Sequence, residues 1–241
     1  MSQTLRVTEL WRYPVKSLQG ERLDAAIVTE DGLNGDRRYA IFDLDTGLGL
    51  TARRVPEPLL ASASLTADGH VRITLPDGSL ADGDDALSAW LGRRVALRSA
   101  EQNAGSRYED VIDFDREQSS DRKTFEGASG PFHDSQRARV SLLSTATIGA
   151  WDPRRFRANI LLDGTGEDAL VDSSIALREA ILNISRRIQR CVMVTRPQPG
   201  GIDRDLSILR TIASERAACL AVGALISHPG IVRVGDELKP R

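Results

Sequence analysis

The sequence predicts a β-rich α+β fold, with strands joined by tight turns and only a few short helices. A barrel fits it better than a doubly wound sheet. Three observations carry this. Apolar and polar residues alternate through much of the first third, as in "TLRVTELWRYPV", the period of a half-buried strand. Turn signals punctuate the strands at Asp31-Gly32, Asp45-Thr46-Gly47, Asp68-Gly69 and Asp77-Gly78, the chemistry of hairpins. Helical periodicity is confined to short stretches, and no internal repeat of fixed length is present.

Taken in order, "LDAAIVTEDGL" reads as a strand running into a turn, "RRYAIFDLDTGLGLTAR" as a hairpin, and "SASLTADGHVRITLPDGS" as another. "DDALSAWLG" reads as a helix capped by Asp84 or Asp85 and closed by Gly92, and "RRVALRS" as a strand. Residues 101–135 are charged, rich in Gly and Ser, and poor in periodic apolar residues. They read as a connection lying over a site. "ARVSLLS" is a strand, with Ser144 placed to cap the helix "TATIGAW", and "RRFRANILLDG" is a strand that begins in basic residues. "IALREAILNISRRIQRCVMVT" stays ambiguous: Ile181, Ile184, Ile188 and Val192 fit a helical period, whereas Val192 to Thr195 favour a strand. "LSILRTIASERA" suits a short helix, and two strands around His228-Pro229-Gly230 close the chain.

The 241 residues carry 32 Lys and Arg against 34 Asp and Glu, a formal charge of −2, so no general attraction to nucleic acid or anionic membrane is expected. No apolar run approaches the roughly 20 residues of a membrane helix. The alternating N-terminus lacks a signal core. A cytoplasmic protein with two free thiols, Cys191 and Cys219, is therefore expected. The three histidines show no zinc-type spacing with either cysteine. Walker, dinucleotide-binding and nucleophile-elbow patterns are absent.

Cys191 raises the sharpest question. It stands in "SRRIQRCVMVTRPQPGG" beside Arg186, Arg187, Arg190 and Arg196. Nearby cations favour the thiolate, the nucleophilic and metal-binding form, which suits thiophilic metals. A lone cysteine in an apolar run is also an ordinary small hydrophobe, and local sequence leaves both readings open. Cys219, in "RAACLAVGAL", reads as core. Further cations cluster at strand ends: Lys16 beside Ser17, Arg37-Arg38, Arg53-Arg54, and Arg154-Arg155 with Arg157. Only convergence on one pocket would turn these into an anion site.

Six of these elements, in this order, resemble the MOSC proteins, named for the C-terminal domain of molybdenum cofactor sulfurases. The resemblance is closest to members with an N-terminal β-barrel extension, such as the amidoxime-reducing components and their bacterial relatives. The elements are "YPVKS" with "GDR", "TARR", "FHDSQRARVSLLSTATI", "RFRANILLDG" (with Ala158 where proline is usual), "RCVMVT" and "GIVRVGDEL". The resemblance implies a MOSC-type β-barrel with a smaller N-terminal β domain packed on it. It divides the chain into an N-terminal barrel at 1–98, a charged connection at 99–135 and a MOSC domain at 136–241. It further implies that Cys191 is the molybdenum ligand and catalytic residue. Lys16, Ser17, Arg37, Asp134, Ser135, Arg157, Asn159 and Arg190 would hold a molybdopterin cofactor.

The implied activity is reduction of N-hydroxylated small molecules such as amidoximes and hydroxylamines, with electrons from a flavin reductase or ferredoxin-type partner. The alternative is a cofactor carrier or sulfur-transfer module without redox turnover. Two departures flank Cys191. The upstream second cysteine is missing, and "TRPQPGGIDRD" replaces a Thr-Val-Asp-Pro-type run, with Asp203 or Asp205 as candidates for the lost acid.

Overall fold

The alternation in "VTELWR" becomes the first strand of an eight-stranded sheet whose other members come mostly from the second half of the chain. The computed structural model describes residues 5–103, 105–112 and 119–241. The first half contributes β1 Val7–Arg12, β2 Glu21–Leu23, β3 Ala25–Thr29, β4 Gly32–Leu33, β5 Tyr39–Asp43, β6 Ser62–Leu65, β7 Val71–Thr74 and β8 Val95–Ser99. Next come β9 Arg107–Val111 and β10 Arg122–Glu126, then β11 Val140–Ser144, β12 Ile160–Leu162, β13 Ser174–Leu177 and β14 Ala180–Gln189. β15 Cys219–His228, β16 Gly230–Arg233 and β17 Leu238–Pro240 complete the set. The helices are α1 Gly83–Leu91, α2 Thr145–Ile148 and α3 Ser207–Arg216.

The large sheet runs β17-β13-β14-β15-β11-β12-β1-β2 and curls into a half-barrel. Its pairings are antiparallel except β11 with β12, so no doubly wound parallel sheet forms. β16-β3-β4 make a second sheet, and β5-β8, β6-β7 and β9-β10 three small ones. Val7, Leu10, Val28, Leu142, Leu182 and Val222 meet in one core, closed by the large sheet and β3. A separate core beneath the N-terminal strands is built on Val15, Leu18, Ile41, Leu87 and Val95. A third packs α3, through Ile208 and Ile212, on Leu143, Phe156 and Val194.

Several local expectations change. The stretch with apparent helical spacing is the ten-residue strand β14. Its register against β15 shifts between Ile181 and Leu182, between Ile184 and Arg186, and between Arg187 and Gln189. These irregularities break the strand period of two and space the isoleucines like a helix. Val192–Thr195, expected to be extended, is a 3-10 turn. The helix α1 starts from Asp82 without a side-chain cap, because the Asp84 carboxylate instead accepts from the Leu97 amide at 2.8 Å. Ser144 precedes α2, but its buried hydroxyl makes no capping bond.

Part of the expected connection at 101–135 is the hairpin β9-β10, although residues 104 and 113–118 lie outside the described residues. Among the described residues, no helix is long and apolar enough to cross a membrane.

Candidate functional site

A cavity of about 420 Å³ opens between the N-terminal strands and the large sheet. Lys16, Ser17, Arg37, Asp134 and Ser135 line it. So do Arg157, Asn159, Arg190 and Cys191. All nine residues that the resemblance assigned to the cofactor and its metal thus face one space. Among the described residues the lining holds eight Lys and Arg side chains against a single carboxylate, Asp134.

Three of these residues sit in the left-handed backbone region: Ser17 (φ 71°), Arg37 (φ 49°) and Arg157 (φ 50°). Such conformations cost on the order of 1–3 kcal/mol each for non-glycine residues and persist only where surrounding bonds impose them. Here the bonds are visible. The Arg37 amide donates to the Tyr13 carbonyl at 2.8 Å, and the Tyr13 amide donates to buried Asp36 at 2.7 Å. Arg157 closes the 3-10 turn Pro153–Phe156. Its guanidinium stacks 4.3 Å from the Tyr13 ring centroid, and Arg37 stacks 4.7 Å from the same ring. Burial, against the pull of those two cations, pushes the Tyr13 phenol up to about 12, so the ring is a neutral platform at physiological pH.

The same cavity carries an ion-pair chain. Lys16 Nζ donates to the Phe132 carbonyl at 2.9 Å and to Asp134 Oδ1. Arg53 donates to Asp134 Oδ2 at 2.9 Å and to Asp110 Oδ2 at 3.2 Å, and Asp134, Cys191 and Asp110 together hold its guanidinium charged against the cost of burial. Phe125 of β10 supports the Arg53 guanidinium at 5.0 Å. Desolvation opposes ionisation of Asp134, but Lys16 and Arg53 outweigh it and hold the carboxyl well below its usual range. Burial lowers Lys16, partly offset by Asp134.

Cys191 is half-buried at the end of β14, opening the turn Val192–Thr195. The preceding Arg190 is anchored by Nε to the Leu220 carbonyl at 2.7 Å and by Nη1 to the Phe156 carbonyl at 2.9 Å. Its Nη2 is buried without a partner. Burial lowers Arg190 and Arg157 to about 10 each, Arg37 adding to the effect at Arg157. Both stay charged at neutral pH, at a cost that a bound anion would relieve.

Not all the expected residues have free polar groups. The Asn159 amide is committed to the protein: Oδ1 accepts from the Ser141 amide and hydroxyl, and Nδ2 donates to the Trp11 carbonyl. Ser17 Oγ accepts from the Ala52 amide at 3.1 Å and keeps its own proton for donation. Ser135 Oγ accepts from the Arg137 amide. Neither Asp203 nor Asp205 lines the cavity; Asp205 accepts from Ser207 at the start of α3. Cys219, also half-buried, stands outside it. Both thiols are free. Among the described residues no group of three His, Cys, Asp or Glu gathers as a metal cage.

The site also contains residues that sequence reasoning did not select: Arg53, His133, Arg139, Arg155 and Arg186. Arg53, Arg155 and Arg186 lay in noted basic clusters, but a doublet does not say which member turns inward. Arg155 is buried and bonds the carbonyls of Val194, Arg196 and Asp203, holding the segment after Cys191 against the cavity.

Two family descriptions match this chain: the MOSC N-terminal beta barrel domain over residues 4–114 and the MOSC domain over residues 121–239. The chain belongs to the MOSC family. That family binds the molybdenum cofactor. The MOSC protein is 26% identical over 272 residues to the molybdenum cofactor sulfurase of Drosophila grimshawi, covering 94% of this chain but 33% of that one. It thus spans about a third of the length of this relative.

Among solved structures, the YUAD protein from Bacillus subtilis matches with a TM-score of 0.46 at 14% identity, over 98% of this chain and 94% of that one. YiiM from Geobacillus stearothermophilus matches with a TM-score of 0.37 at 13% identity, over 49% and 67%. In this MOSC protein the cavity lies where the two matched regions meet, with Lys16, Arg37 and Arg53 from the first and Asp134, Arg157 and Cys191 from the second.

Proposed function

We propose that this MOSC protein holds a molybdenum cofactor in the cation-lined cavity and reduces N-hydroxylated small molecules such as amidoximes and hydroxylamines. The observation that carries the reading is one half-buried thiol, Cys191, on the wall of a cavity that, among the described residues, has eight cationic side chains and one acid. The donor set fits the group. A dianionic phosphate calls for several fixed cations, and the unpartnered Arg190 Nη2 and the lowered Arg157 and Arg190 are the marks of a site built for an anion.

Lys16, the Ser17 hydroxyl, Arg37 and Arg157 would hold the phosphate. Arg190, Asp134 and Ser135 would border the pterin, and Asn159 would fix the strand beneath it. Cys191 would supply the soft thiolate to the metal. When bound, the cofactor supplies two-electron removal of oxygen from nitrogen. The overall change takes two electrons and two protons: the N–O bond breaks, an N–H bond forms, and oxygen leaves as water. The electrons would come from a flavin reductase or ferredoxin-type partner. Within the chain, Asp134 orients Lys16 and Arg53, and the Arg53 cation would favour the thiolate of Cys191.

A second reading, a cofactor carrier or sulfur-transfer module, is favoured by the similarity to a molybdenum cofactor sulfurase. One preparation separates them. Protein from a cofactor-competent host is analysed for molybdenum and pterin, then assayed on benzamidoxime with a chemical electron donor. Stoichiometric metal with turnover supports the reductase, and metal without turnover supports the carrier. Absence of both metal and pterin overturns both.

A further inference from the structure

The cofactor-holding residues do not use all the charge in the cavity. At its β11–β14 end stand Arg139 and Arg186, neither ion-paired to a carboxylate among the described residues. Arg139 donates through Nη2 to the Gln136 amide oxygen at 2.9 Å, and its Nη1 is buried without any partner. Arg186 bonds only the Arg187 carbonyl, at 3.3 Å.

The backbone is built to bring the two together. Ser141, Gly223 and Arg186 occupy one rung across β11, β15 and β14. A Cβ at Gly223 would stand 2.6 Å from the Ala138 Cβ, so the absent side chain lets the segment before Arg139 lie flat on the sheet. Ser185 Oγ donates to the Arg137 carbonyl at 2.5 Å and fastens that segment down. A guanidinium nitrogen buried without a partner costs free energy until an acceptor arrives.

We propose that Arg139 and Arg186 form a subsite for an anionic group, carboxylate or phosphate, on the substrate. This deepens the reductase reading and rests on it: among N-hydroxylated compounds, this chain selects those that carry a negative charge. Paired guanidinium forks match the planar oxygens of such a group, and a neutral analogue would leave both cations unmatched.

The experiment needs no turnover. Benzoate, phenyl phosphate and benzamide are titrated by calorimetry into the oxidised, metal-analysed protein. At least one anion is expected to bind about tenfold or more tighter than benzamide, and the contrast between the two anions identifies the group. R139Q and R186Q, each checked for an unchanged melt and molybdenum content, should each erase that preference. In the assay, both should raise KM for 4-carboxybenzamidoxime while leaving benzamidoxime kinetics unchanged. Equal binding of anion and amide by the wild type, or a preference that survives in both variants, overturns the subsite. Absence of molybdenum would overturn the reductase reading instead, since the heats still report on the two arginines.

Discussion

Two cavities of nearly equal size lie in this molecule, and they have opposite characters. The first, about 420 Å³, collects cations around a thiol. The second, about 430 Å³, lies against α3 and is lined by Glu167, Asp168 and Glu215 with Arg216. Two of its three acids are engaged locally. Asp168 bridges Arg187 and Arg216, and Glu167 accepts from the Thr147 hydroxyl at 2.9 Å. No cysteine or histidine faces it. Both leave buried polar atoms without a hydrogen-bond partner, Arg139 Nη1 and Arg190 Nη2 in the first, Glu167 Oε1 and Asp168 Oδ1 in the second. Volume alone does not separate the two; the sign of the gathered charge and the thiol do.

The largest effect that would sharpen this contrast is at the thiol. Cys191→Ser replaces a soft ligand by a hard one at nearly constant volume. Molybdenum content and reductase rate should collapse while the melting temperature holds. Cys219→Ser is the matched control, costing at most about 1 kcal/mol and keeping metal and rate. Full molybdenum-dependent turnover by the Cys191→Ser protein would break the assignment.

Next comes acid. His133 is buried on the cation-lined wall, its Nε2 donating to the Asp31 carbonyl at 3.1 Å. Burial, helped by Arg37 and Arg139, holds it down to about 4. The unfolded chain takes up that proton near pH 6.5, whereas the folded one does so only near 4. The stabilisation is therefore complete above 6.5 and is lost as pH falls through that window, by about 2–3 kcal/mol at pH 4.5. His133→Asn should flatten that part of the curve in denaturant titrations at pH 7 and 4.5. An unchanged slope would remove His133 as the cause.

A smaller effect belongs to Gly223. Its replacement by alanine forces the Ala138 segment off the sheet, at about 1–3 kcal/mol of overpacking. Melting should fall and the anion preference weaken together, because the same segment carries Arg139. Smallest of all is Asp168→Asn in the second cavity. Its partly exposed ion pairs are worth about 0–1 kcal/mol, and cofactor content and rate should not move. Loss of molybdenum in that variant would erase the contrast between the cavities.

Much of this arrangement was legible in the sequence, for a physical reason. The cations at Lys16, Arg37, Arg157 and Arg190 stand at strand ends or turns, where short motifs mark them even though convergence cannot be read from spacing. Turn chemistry gave the hairpins at Asp68-Gly69 and Asp77-Gly78 correctly, since Gly69 and Gly78 take φ of 84° and 86°. What escaped was nonlocal. The irregular β14 mimicked a helix because its register is set by β15, and Asp84 was drawn from capping α1 by an amide on β8. Arg139 and Arg186 were invisible as a pair, since a glycine on a third strand brings them together.

The way β1 is sewn into the far half of the chain has a consequence for synthesis. Its partner β12 is made some 150 residues later, as the span of the bond from Asn159 to the Trp11 carbonyl records (148 positions). Gln19 bonds Gln198 across 179 positions. When the N-terminal third leaves the ribosome it can close its own small core, but one edge of β1 stays open. Pairings so distant in sequence form slowly. The cation-lined wall is finished only when the segment through Cys191 and Val194 has been made, so a shorter nascent chain lacks part of the cavity lining. A chain truncated before β12 would present β1 as an unprotected edge for other chains to join.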